Sequence, residues 1–273
     1  MKKTQIIFLV TGIILVGALF SLPTVVVDNS EDDVVMDESG SVVTAPSFSD
    51  THESELPASV REQVDQLKAA LGAEEDREKY VILADSLGKV FHASGKPDSA
   101  AYFYALPADR FSDMEFIEKA GNTYYEAYGF AMTPEKTSYL ADKTREYLGK
   151  VLEQDPSRLD VKTKIAMTHV SSSNPMQGIT MLREILEEDP TNESALFNMG
   201  VLSMQSGQYK MAVERFEELV AHHPGNIEGQ FFLGVSYYES KQQNKAKTQL
   251  QLVRDMTQDP QILAGVENYL DRL

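Results

Sequence analysis

The chain has 273 residues, 42 % apolar and 25 % charged, which suits a folded domain and excludes a collagen-like or low-complexity polypeptide. Its formal net charge of -17 makes it a poor match for nucleic acid, whose phosphates need a basic groove. No cysteine is present, so a disulfide framework, a thiol nucleophile and a thiolate metal site are all excluded for this chain.

The first element is apolar. Lys2 and Lys3 precede about 19 uncharged residues, Thr4–Leu22, a length that can cross a bilayer core as a helix. Basic residues before the stretch, with no Lys or Arg from Thr4 to Val60, predict a single-pass signal anchor over 1–22. The N-terminus is then cytoplasmic and the remainder extracytoplasmic, as at a bacterial inner membrane facing the periplasm. Val16, Gly17 and Ala18 offer an alternative processing site for a cleaved signal peptide, but the apolar run continues past them to Leu22. Residues 23–57 hold nine acids and no Lys or Arg, a composition expected to form a disordered, extended tether. Two lysines and those nine acids precede residue 56, so 10 of the 17 net negative charges belong to residues 56–273.

Beyond the tether every segment reads as helix. A first amphipathic stretch, 59–71, places Val60, Val64, Leu67 and Leu71 on one stripe. Leu87, Gly88, Phe91, Gly95, Ala100, Tyr104 and Pro107 then open a pattern of two helices per unit. It recurs with Gly121 and Tyr124, continues with Ile165, Ala166, Gly178, Leu182, Ile185 and Pro190, and sharpens in the last units. There Leu196, Met199, Gly200, Gly207, Tyr209, Ala212, Phe216, Leu219 and Pro224 are followed by Leu233, Gly234, Tyr237, Ala246, Leu250 and Val253. Ala166, Gly200 and Gly234 stand 34 residues apart. A small residue at each point lets two antiparallel helices approach closely, a glycine such as Gly207 can end the first helix, and prolines reset the chain between units. Eleven extra residues separate Gly121 from Ala166 and are expected to lengthen the second hairpin around Met132–Lys136.

This frame resembles the tetratricopeptide repeat (TPR) family. The resemblance implies an all-α fold, a right-handed superhelical solenoid of helical hairpins over 58–273, preceded by the transmembrane helix and the tether. Hairpins are expected at about 81–113, 114–158, 159–192, 193–226 and 227–260, with capping helices at 59–71 and 261–273. It also implies a non-enzymatic protein-binding scaffold or assembly factor. An accessory subunit of an envelope enzyme or cytochrome maturation complex is the alternative.

A second apolar stripe on the first helices comprises Met167, Val170, Phe197, Val201, Met204, Phe231, Val235 and Tyr238. In TPR proteins these offsets line the inner face, so the resemblance implies a groove for a protein or peptide with an apolar or amphipathic segment. Apolar residues there also leave no place for the basic clamp with which some TPR domains grip a terminal carboxylate. The alternative is packing between neighbouring helices of the stack.

No residue set assembles catalytic chemistry, and no cofactor or metal is expected. Ser86 and Lys89 match a Ser-x-x-Lys spacing, but Leu87 and Gly88 between them belong to the repeat frame. His222 and His223 close a helix where positive charge is favourable and lack a third ligand, while His169 takes a packing position.

Overall fold

The computed structural model describes residues 56–273. The predicted anchor Thr4–Leu22, and the tether up to residue 55, lie outside the described residues. Twelve helices follow in chain order: α1 Ala58–Gly72, α2 Arg77–Ala93, α3 Pro97–Phe111, α4 Met114–Gly129, α5 Pro134–Gln154 and α6 Leu159–Val170. Then come α7 Pro175–Glu188, α8 Glu193–Gln205, α9 Tyr209–His222, α10 Ile227–Glu239, α11 Gln243–Met256 and α12 Pro260–Leu270. Among the described residues there is no strand, and no helix is long and apolar enough to cross a membrane. Each odd helix from α3 to α11 packs on the even helix before it, and successive hairpins stack.

Local chemistry sets where each helix starts. Side chains of Asp76, Asp113, Asn192 and Asn226 accept from the backbone N–H groups of Lys79, Glu115, Ala195 and Gly229, capping the first helices α2, α4, α8 and α10. The second helices α3, α5 and α7 open on Pro97, Pro134 and Pro175, whose missing N–H falls where no intrahelical bond is due. Gly95 and Gly207 take the left-handed conformation in the turns of the first and fourth hairpins, at φ 70° and 71°. Lys241 holds the matching place in the fifth at φ 64°.

Glycine at the helix crossing is required by contact. A Cβ on Gly88 would lie 2.1 Å from the Tyr104 ring, and one on Gly200 would lie 2.6 Å from the ring of Phe216. Gly121 and Gly234 face Leu148 and Leu250 in the same way. The third hairpin reverses the arrangement: α6 carries Ala166, and the tight glycine is Gly178 on α7, where a Cβ would stand 2.2 Å from the Ala166 carbonyl oxygen. The core follows the stack, with Leu87, Phe91, Leu140, Tyr147 and Leu148 buried in the first half and Leu196, Phe216, Leu219 and Leu250 in the second.

One expectation needs correction. Pro107 does not close the first hairpin: it is buried inside α3, which runs on to Phe111 and stops where Ser112 turns left-handed at φ 52°. A proline inside a helix forfeits one backbone hydrogen bond, and burial of its ring in this helix's packed face offsets part of that loss. The eleven extra residues do lengthen the second hairpin on either side of Met132–Lys136. They extend the arms, 16 residues in α4 and 21 in α5, because Thr133 caps and Pro134 starts α5 directly after a short turn.

Candidate protein-binding face

The stripe of the first helices divides into two chemistries along the stack. Where α8 carries Phe197, Val201 and Met204, α2 carries Asp85, Lys89 and His92, and α4 carries Glu118, Asn122 and Tyr125. In the N-terminal half these positions are tied by polar contacts between adjacent first helices. Asp85 accepts from Lys89, at 2.6 Å, and from Lys119 of α4. Burial pushes the Asp85 carboxyl up, but the hydrogen bonds from the two lysines outweigh it and hold the group below its ordinary value. His92 Nε2 lies 2.9 Å from Glu126 Oε2, Arg158 donates to Glu118 at 2.6 Å, and Lys164 donates to Asn122. Pairs this exposed add little stability each, and their geometric effect is to fix how one first helix sits against the next.

In the C-terminal half the same positions are apolar. Phe197, Val201, Met204 and Tyr238 are half-buried and border one cluster that includes Leu196, Phe216 and Leu233. Phe197 stands edge-on to Phe216 at 6.1 Å and to Phe232 at 5.7 Å between ring centroids. Phe232 touches Phe231 at 5.5 Å, Phe231 reaches Tyr269 of α12 at 6.3 Å, and Tyr269 meets Tyr238 at 5.3 Å. The result is a continuous aromatic run through α8, α10 and α12, each pair contributing about 0.5–1.5 kcal/mol beyond its buried area.

The predicted residues do not all share this surface. Val235 is buried at 3 % exposure and belongs to the interior of the stack, so it presents no surface to a ligand. Val170 sits where a Cβ on Gly178 would meet its Cγ2 at 2.8 Å, so it packs within the third hairpin. Met167 borders a separate cluster around Leu182 and Ile185. Phe231 packs against α12, close to Gly265, leaving Phe197, Val201, Met204 and Tyr238 as the coherent set. Phe232, outside the predicted stripe, joins the two aromatic groups. It follows Phe231 directly, about 100° round the helix, and points back to the preceding unit.

The remaining polar candidates are structural. Ser86 Oγ donates to the Ile82 carbonyl and Lys89 is engaged with Asp85, so the Ser-x-x-Lys pair makes no joint contact. His223 Nε2 contacts the Thr191 carbonyl oxygen at 2.7 Å and links two loops. Burial and the nearby Arg145 charge depress the basicity of His169. Among the described residues no group of three or more His, Asp or Glu could hold a metal ion.

Stacked antiparallel hairpins with close glycine crossings define an α-helical solenoid, a class whose exposed helix faces serve protein contact. Residues 203–268 match the tetratricopeptide repeat family. It is similar in fold to a tetratricopeptide repeat protein from Parabacteroides merdae, at 16% identity and TM-score 0.56, over 81% of this chain and 86% of the other. A thermophilic TPR protein of Thermus thermophilus aligns at 13% identity and TM-score 0.51, over 71% of this chain and 99% of the other. No curated protein matches the chain.

Proposed function

We propose that this protein is a membrane-tethered, non-enzymatic scaffold that holds a polypeptide partner against the apolar part of its first-helix face. TPR-type repeats are protein-interaction modules, and the observation that carries this reading is the half-exposed set Phe197, Val201, Met204 and Tyr238 on one continuous aromatic run. An amphipathic helix or an extended apolar segment is the partner chemistry such a surface favours, with the aromatic residues supplying most of the energy. The tether and anchor read from residues 1–57 would keep the scaffold near a membrane, on its periplasmic or extracytoplasmic side.

In-cell crosslinking of the full-length protein tests this reading. Val201→Ser combined with Met204→Ser should remove crosslinks to the native partner while helical content is retained, whereas Lys89→Ala should leave them. A folded double variant that still crosslinks would place the interaction elsewhere. Protease digestion of the same cells, intact and with the outer barrier opened, reports on the membrane side: cutting only after opening is expected.

A further inference from the structure

Alternating helices sort the connections of the solenoid onto two edges. The five hairpin turns, residues 94–96, 130–133, 171–174, 206–208 and 240–242, fall on one edge, and the joints between hairpins fall on the other. The chemistry of the two differs. No turn contains Asp or Glu, whereas the joints carry Asp76, Asp113, Asp155, Asp189 and Asp259. Asp98, Glu135 and Glu239 lie just inside the helices that adjoin the turns, the first of them paired with Lys136 at 2.6 Å.

The turn edge is also where apolar side chains project. Phe130 is 71% exposed and Met132 97%, and Met176 and Met211 are exposed just beyond the third and fourth turns. Lys210 and Lys241 stand with Tyr209 and Met211 on a cleft of about 400 Å3 between the fourth and fifth turns. Glu239 is the acid there, and neither lysine forms an ion pair among the described residues. Projecting apolar tips flanked by lysines suit a bilayer surface, where the tips enter between headgroups and the lysines meet anionic phosphates.

The chain enters the fold at this same edge. The short joint 73–76 turns α2 back on α1, and Arg110, near the end of α3, donates to the Glu74 carbonyl oxygen, so α1 ends among the joints and starts among the turns. Leu56, just before α1, is buried, which holds residue 56 in place there. The net negative charge does not oppose such a contact. Second helices of 14 residues, such as α7 and α9, hold the edges about 21 Å apart. The Debye length is about 8 Å at physiological ionic strength, so the joint acids are screened from a surface that the turns touch.

We propose that the turn edge docks on an anionic bilayer, with the helices upright on it and the acidic joints facing away. This rests on the membrane tether proposed above, which brings the fold to a bilayer.

The chain has no cysteine, so a single introduced cysteine reports on one edge at a time. Full-length protein carrying Met132→Cys or Gln258→Cys, labelled with nitrobenzoxadiazole, is reconstituted in vesicles of phosphatidylethanolamine and phosphatidylglycerol. The label at 132 should shift to the blue and be quenched by brominated acyl chains, and the label at 258, on a joint, should do neither. Vesicles of phosphatidylcholine alone, or Lys210→Glu combined with Lys241→Glu, should lessen the shift while the protein still floats with the vesicles. A protein that floats while its label at 132 emits as in water overturns the docking and leaves the tether standing. One that does not float overturns both. Equal shifts at 132 and 258 overturn the docking as well. So does a label at 132 that an aqueous quencher cannot reach in cells yet shows no shift in vesicles, which assigns the edge to a protein partner.

Discussion

Replacing Gly178 by alanine tests the hairpin geometry where it has least freedom. The added Cβ would lie 2.2 Å from the Ala166 carbonyl oxygen and 2.9 Å from the Val170 nitrogen. Both neighbours are backbone, so neither can rotate away, and α6 and α7 must separate by about 1 Å to reach ordinary contact. Overpacking of this kind costs about 1–3 kcal/mol, with a rigid neighbour at the upper end. Replacing a helical glycine returns about 0.5–1 kcal/mol, for a net loss near 2 kcal/mol. The same substitution at Gly234 meets side-chain and not backbone atoms, Leu250 Cδ2 at 2.8 Å and Cγ at 2.9 Å; that side chain is fully buried and gives only in part, so the net loss should be smaller than at Gly178, about 1 kcal/mol. At Gly149, inside α5 with nothing within 4 Å, only the helix preference acts, and alanine should stabilise by about 0.5–1 kcal/mol. At about 2–4 °C per kcal/mol, Gly178→Ala should lower the melting temperature by roughly 4–8 °C and Gly149→Ala should raise it by roughly 1–4 °C. Solenoids open segment by segment, so melts followed by circular dichroism should be paired with hydrogen exchange, which should locate the Gly178→Ala loss in α6 and α7. Equal melting temperatures for the Gly178 and Gly234 variants would refute the reasoning.

Two further outcomes are expected. Lys241 occupies the left-handed conformation that Gly95 and Gly207 hold in other turns, a geometry costing a side-chain-bearing residue about 1–2 kcal/mol, so Lys241→Gly should raise the melting temperature; a fall would mean the lysine stem packs more usefully than its backbone is strained. Burial raises the phenols of Tyr104, to about 12, and of Tyr124, Tyr147 and Tyr237 further, with Asp109 and Glu217 adding to the last two. Because the folded values lie above the unfolded one, the stability these groups supply is complete below about pH 10 and lost as pH rises through and beyond 12. In a spectrophotometric titration, part of the tyrosine signal should therefore appear only as helicity collapses, and full ionisation of a still-folded protein would contradict this.

The repeat frame is legible in the sequence because one steric requirement recurs: Gly88, Gly121, Gly200 and Gly234 are small where two helices cross. A periodic requirement leaves a periodic trace. Gly178 also falls on the frame, 34 residues before Ala212, but the frame does not show that in the third hairpin the tight contact moves from the Ala166 position to this opposite helix. Pro107 misleads because a proline after a helix and one inside it look alike until burial is known. The inner stripe is partly visible. Helical offsets select Phe197, Val201, Met204 and Tyr238, but cannot tell them from Val235, which the next layer buries, nor show that Phe232 bridges the two aromatic groups.

The division between ionic and apolar first-helix contacts bears on modularity. In the N-terminal half each unit carries one member of a pair and its neighbour the other, Asp85 with Lys119, His92 with Glu126, Glu118 with Arg158. Such units are keyed: a duplicated copy inserted between the first and second hairpins would set unmatched charges face to face. In the C-terminal half the joints are greasy rings that accept any similar neighbour. The array is therefore extensible at one end and closed to insertion at the other, so length variants of this protein should differ in the number of hairpins like α8–α9 and conserve the first two.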